Sequence, residues 1–107
     1  MFNLAMAKWG ETQQIPIEEF KFIADNIRLD DRDDANFKQC MSLVCWALCD
    51  RDNAQKCLDK AKQKPALNKF SSWSYLYSRS NEFQRDLEDQ QLLLDGKDIL
   101  PTIVAPV

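Results

Sequence analysis

Four cysteines, Cys40, Cys45, Cys49 and Cys57, are the side chains of this sequence best equipped for chemistry, as metal ligands, nucleophiles or disulfide partners. Their spacing, C-x4-C-x3-C-x7-C, contains no close C-x2-C pair of the kind that builds a zinc ribbon or knuckle. Cys45 and Cys49 lie one helical turn apart, and Cys57 could join them across a turn to share a metal. A fourth ligand would have to be Cys40, which points away from Cys45 by about 140° at a rotation of about 100° per residue. Buried free cysteine packs as a small hydrophobe. Core packing is therefore the favoured reading, ahead of a Cys49–Cys57 disulfide and of a metal site, and no metal or cofactor is assigned.

Histidine is absent, which rules out Ser-His or Cys-His catalysis and any His-containing zinc site supplied by this chain alone. The only glycines are Gly10 and Gly96, so no glycine-rich phosphate loop exists. Asp30, Asp31, Asp33 and Asp34 could attract a hard cation, but the run lacks the glycine and the downstream glutamate of an EF-hand loop. Capping and solubilising are the roles expected of it. Glu82, Asp86 and Asp89 share one face of the last expected helix. Nothing in the sequence buries or pairs them, so no raised pKa of the kind a catalytic acid needs follows.

Charge is segregated along the chain although the net charge is only −3. Residues 11–34 carry −5, residues 51–79 carry +5 and residues 80–107 carry −4. The bland reading is that neighbouring helices present opposite charge to one another and to solvent. The sharper reading is a binding surface made of Lys56, Lys60, Lys62, Lys64, Lys69 and Arg79 beside Trp73, Tyr75 and Tyr77. Bases and aromatic rings together suit single-stranded nucleic acid, with charge tracking the phosphates and rings stacking on bases. Against it stand a sequence pI near 4.9 and the lack of any recognised nucleic-acid motif.

The elements that must position these groups are helical. At 107 residues, 45% hydrophobic and 29% charged, the chain suits one domain able to bury a core without disulfides or metal. Scarce glycine and proline argue against tight hairpins. The apolar spacing predicts helices near 2–9, 16–29, 35–49, 53–64 and 81–95. Residues 66–78 are ambiguous: Phe70, Trp73 and Tyr77 fit a helix, whereas Trp73, Tyr75 and Tyr77 alternate like a strand, and helix is favoured. Gly10 could end the first helix, Pro16 should open the second, Asp33 or Asp34 should cap the third, Asp52 or Asn53 the fourth, and Ser78 or Ser80 the last. Gly96 is placed to end that last helix as a left-handed cap. Residues 97–107 should form an extended tail, with Val104–Val107 a hydrophobic C-terminus that packs on the body or adds to a partner's sheet edge.

Ser42, Ala54, Leu58, Ala61 and Pro65 approximate a repeat pattern: a small residue in one helix, alanines seven apart in the next, and a closing proline. Residues 36–65 thus resemble one tetratricopeptide-type helical hairpin. The proline comes one residue early, the family's glycine is missing, and no second copy follows, so the resemblance implies a packed helix pair and carries no binding residues with it.

The fold expected is all-α, a compact bundle of four or five helices with an extended C-terminal tail. Its core should contain Phe20, Ile23, Ile27, Phe37, Met41, Val44, Leu48, Leu58, Trp73, Phe83 and Leu87. No segment is apolar for the roughly 18–20 residues needed to span a bilayer, and no secretory leader is read at the N-terminus, so the expected compartment is the cytoplasm. The function expected is non-enzymatic protein binding, as an adaptor or inhibitor that covers a partner's surface, with Trp9, Trp73 or Tyr75 as anchors if exposed. The alternatives are a nucleic-acid-associated regulator using residues 56–79 and a small enzyme. A homo-oligomer stays open.

Overall fold

The computed structural model describes residues 2–76 and 82–97. Across them run five α-helices, α1 (Phe2–Thr12), α2 (Ile17–Asn26), α3 (Ala35–Ala47), α4 (Arg51–Gln63) and α5 (Phe83–Leu94), with a single 3-10 turn at Ser72–Tyr75 before α5. No strand occurs among the described residues, so the all-α class holds. Tyr77, Arg79, Ser78, Ser80 and the tail from residue 98 onward lie outside the described residues.

Local chemistry sets the helix ends. Asp34 accepts a hydrogen bond from the Phe37 amide at 2.8 Å and caps α3, as its position before an apolar run predicts. The cap of α4 is Asp50, which accepts from the Asn53 amide at 3.3 Å and its side-chain amide at 2.7 Å. It starts α4 two residues earlier than the sequence suggests. Helix α2 stops at Asn26 rather than Leu29 because the Arg28 amide turns to the Asp31 carboxylate, at 2.9 Å, instead of continuing the helical ladder. Gly96, at φ +81°, closes α5: its amide reaches the Leu93 carbonyl at 3.1 Å and that of Lys97 reaches Leu92 at 3.0 Å. Helix α3 ends in the same way, but the left-handed position there is Cys49, at φ 65°.

Helix α3 is the centre of the molecule, with nine of its thirteen residues buried. One side meets α1, α2 and the 3-10 turn through Met41, Leu43, Val44 and Ala47, which join Met6, Trp9, Phe20, Ile23, Trp73 and Leu76. The other side, through Ala35 and Cys45, meets Ala54, Leu58 and Ala61 of α4 and Phe83, Leu87 and Leu94 of α5. Trp9 stacks on Trp46 at 6.1 Å and meets Phe20 edge-on at 6.1 Å. Of the expected core, Ile27, Phe37 and Leu48 are only partly buried; they pack on its margin. The α3–α4 hairpin is real: Ser42 Oγ donates to the Ala54 carbonyl at 2.6 Å, where small residues let the helices approach.

The helix favoured across 66–78 does not form over its described residues, 66–76. Residues 64–71 are irregular and only the 3-10 turn follows. The reason is tertiary. Asn36 Oδ1 accepts from the Leu67 amide at 2.7 Å and the Asn68 amide at 3.3 Å, and Asn36 Nδ2 donates to the Asn68 carbonyl at 3.0 Å. The Pro65 carbonyl in turn accepts from the Ala35 amide at 3.1 Å. The Pro65 and Asn68 carbonyls, which a helix here would offer to amides four residues on, are thereby engaged by α3 instead.

Gly10 does not end α1, which continues to Thr12. It is where α1 crosses the 3-10 turn, and a Cβ there would collide with the Tyr75 carbonyl oxygen. Gly10→Ala should therefore lower the urea unfolding free energy, since overpacking against backbone costs about 1–3 kcal/mol and offsets a helix-propensity gain of about 1 kcal/mol. A more stable variant would show that this crossing is loose.

Candidate functional site

A groove of about 510 Å³ lies between α1, α2, the start of α3 and the segment before the 3-10 turn. Phe2, Ile23, Ile27, Phe37, Met41 and Phe70 make it mainly apolar. Asp31, Arg32, Asn36 and Asn68 give it a polar edge. Arg32 donates from Nε to Asp34 at 2.9 Å and lies over the Phe37 ring, 5.5 Å from its centroid, so its charge is fixed in place. Cys40 also lines the groove, and burial, reinforced by the Asp34 charge, pushes its thiol up to about 12. It is an apolar wall there, not a nucleophile.

Beside the groove the chain holds large apolar side chains in water. Phe70 is 50% exposed and Leu67 is 67% exposed. Asn36 pins the Leu67 and Asn68 backbone, and Phe70 leans edge-on against Tyr75 at 6.1 Å. Their exposure is thus built into an ordered segment.

That segment is anchored from beneath by buried polar groups. Gln90 Oε1 accepts from Gln39 Nε2 at 2.8 Å and from Trp73 Nε1 at 3.2 Å, and Gln90 Nε2 donates to the Gln39 carbonyl at 3.1 Å. Ser71 Oγ donates to the Asp86 carboxylate, 2.6 Å from one oxygen and 2.7 Å from the other. Burial pushes Asp86 up to about 6, although the Ser71 hydroxyl and the Trp73 amide pull it down; the Asp89 charge adds to the rise. Asp86 does not line the groove. The sequence carried no sign of this burial beyond a serine and an aspartate on neighbouring elements.

The described residues among those singled out from sequence divide between exposed lysines and a buried Trp73. Lys56, Lys60 and Lys62 are exposed on α4, and Lys69 is exposed in the following segment. Lys62 donates to Gln91 at 2.7 Å, and Lys64 pairs with Asp33 at 2.9 Å, holding that exposed carboxyl below its usual range. Trp73 is fully buried, so its ring cannot stack on a base or anchor a partner. Trp9 is buried as well. Only Tyr75 keeps a solvent-facing ring, at 39% exposure, and Tyr77 and Arg79 lie outside the described residues. The acidic connector is consumed locally, with Asp31, Asp33 and Asp34 all engaged. Among the described residues no three metal-ligating side chains converge. Cys45 and Cys57 are buried, whereas the left-handed turn at Cys49 leaves that thiol exposed, and all four cysteines are free.

Protein-family models, curated proteins and solved structures contain no match to this chain. Among the described residues no helix is long and apolar enough to cross a membrane.

Asp86 sets a pH signature. Its pKa is higher folded than unfolded, so the folded state binds the proton more tightly. Its contribution to stability is largest below about pH 4 and is lost as pH rises through about 6. The stability of Asp86→Asn relative to the parent should therefore rise between pH 4 and 6.5, by on the order of 2 kcal/mol. Thermal melts across that range test it, and a pH-independent difference would contradict a raised pKa.

Proposed function

We propose that this chain is a non-enzymatic protein-binding module, an adaptor or inhibitor that receives an apolar segment of a partner protein in the groove between α1, α2 and the start of α3. The observation that carries this reading is the pairing of an apolar floor with Leu67 and Phe70, which hydrogen-bonded backbone holds out in solvent. Large apolar side chains kept exposed on an ordered rim are the usual anchors of protein recognition. Arg32 and Asp31 at the edge favour a partner of mixed charge around an apolar centre, and such charges act mainly on association rate and partner choice. The nucleic-acid alternative retains the exposed lysines of α4 but has lost Trp73 as a stacking ring.

The test uses three immobilised proteins in lysate of the cells that make the chain, with and without nuclease: the parent, Leu67→Ser with Phe70→Ser, and Lys56→Gln with Lys60→Gln and Lys62→Gln. Substitutions at exposed positions should leave stability within about 0.5 kcal/mol. The parent and the lysine variant should recover the same protein. The Leu67/Phe70 variant should bind it at least about tenfold more weakly, a loss of about 1.4 kcal/mol. Equal recovery by all three would refute the groove. Recovery that needs nucleic acid, falls steeply with salt and is lost in the lysine variant would support the alternative. Recovery of the chain itself would make the partner a second copy.

A further inference from the structure

A second groove, of about 440 Å³, lies between the end of α2 and the second half of α3. Its walls are apolar, with Ile27, Leu29, Met41, Val44 and Leu48 among them. Ile27, Leu29 and Leu48 are only partly buried, so the described residues do not close this face. Two charged residues border it, Arg28 and Asp50. Asp50 is committed to capping α4. Arg28 is exposed, and among the described residues no carboxylate pairs with its guanidinium. The chain leaves α5 beside this groove. Asp95 pairs with Arg51 at 3.8 Å, next to Asp50 of the groove edge. Leu94, in the last turn of α5, shares a core cluster with Cys45, which also lines the groove. The first groove instead meets α3 at its opposite end, from Asn36 to Met41, and the depression between α4 and α5 has Leu87 as its one apolar wall. We propose that the tail of this chain is the occupant of the α2–α3 groove: Asp98 pairs with Arg28, and the apolar residues from Ile99 to Val104 cover Leu29, Val44 and Leu48.

The sequence beyond Lys97 matches the groove in chemistry. Ile99, Leu100, Ile103 and Val104 supply branched apolar side chains, and Asp98 is the single charge among residues 98–107. One unpaired cation at the groove edge thus meets one anion at the start of the tail. Length suffices as well. Extended at about 3.3 Å per residue, the stretch from Asp98 to Val104 spans about 23 Å, whereas a helix of the length of α3 spans about 20 Å. Apolar burial drives the docking, and the charge pair selects this groove and sets the register. Tethering keeps the tail at high local concentration beside its site. Pro101 holds its own φ near −65°, which lowers the entropy lost on docking. This inference stands apart from the proposed partner site, which stays open at the other end of α3.

The experiment is methyl NMR on the intact chain, labelled at its isoleucine, leucine and valine methyl groups. Nuclear Overhauser cross-peaks should join the methyls of Ile99, Leu100, Ile103 or Val104 to those of Leu29, Val44 or Leu48, with relative intensities unchanged on dilution. Arg28→Glu, a change at an exposed position, should weaken these cross-peaks and move the tail signals towards random-coil positions. The charge swap, Arg28→Glu with Asp98→Arg, should restore them. Random-coil tail signals in the parent would overturn the proposal. So would tail cross-peaks to Ile23 of the first groove in place of Leu48, or cross-peaks found only between differently labelled copies in a mixed sample. Cross-peaks that survive Arg28→Glu at full intensity would overturn the Asp98–Arg28 pair.

Discussion

The buried carboxamide of Gln90 is the constraint on which the rest of the structure leans. An amide taken out of water costs about 1–3 kcal/mol when left unpaired, and this one is wholly enclosed. It is tolerated because Gln39 and Trp73 both donate to its oxygen while its nitrogen reaches the Gln39 carbonyl. Those donors come from α3 and from the 3-10 turn, and the acceptor from α5. Hydrophobic contact alone would let these elements slide, whereas the amides fix one register. Ser71 and Asp86 repeat the device one turn away. With Ser71 and Trp73 so held, Phe70 can project into the groove without drawing the backbone back over the core.

The second organising fact is that α3 is buried on both sides. Its sequence reads as almost continuously apolar, and the polar residues that interrupt it each have a specific partner. Lys38 lays its stem in the core and donates to the Leu29 carbonyl at 2.6 Å, satisfying the stretch where α2 gives way to the acidic connector. Asn36 captures the chain leaving α4, Ser42 draws in α4, and Gln39 binds α5. One helix thereby specifies the positions of its neighbours through side chains spaced along its length.

Much of the fold was legible in the sequence because it rests on local rules. Asp34 as a cap, Gly96 as a left-handed terminator and the apolar stripes of α2, α3 and α4 follow from short-range physics, and so does most of the core, from Phe20 to Leu87. What was not legible depends on distant partners. The helix favoured at 66–78 lost to Asn36, about thirty residues away in sequence. Trp73 fitted both the expected core and the expected binding surface, and it lies in the core as a donor to Gln90. The groove could not be read at all, since Phe2, Ile27, Phe37 and Phe70 come from four separate segments. Cys45 and Cys57 were counted as core packing, and burial bears that out, whereas Cys49 is exposed because it takes the left-handed position that ends α3. Of the surface of lysines and rings, Trp73 is buried while Lys56, Lys60, Lys62, Lys69 and Tyr75 are exposed, and Tyr77 and Arg79 lie outside the described residues.

The most direct test of this account is a double-mutant cycle on the glutamine pair, with Gln39→Leu, Gln90→Leu and the double variant unfolded in urea. Each single replacement orphans a buried amide and should cost about 2 kcal/mol, while the double variant should lose less than the sum by about 1 kcal/mol or more. Strictly additive losses would mean that the two amides do not act on each other, and that packing alone holds α5 and the 3-10 turn against α3.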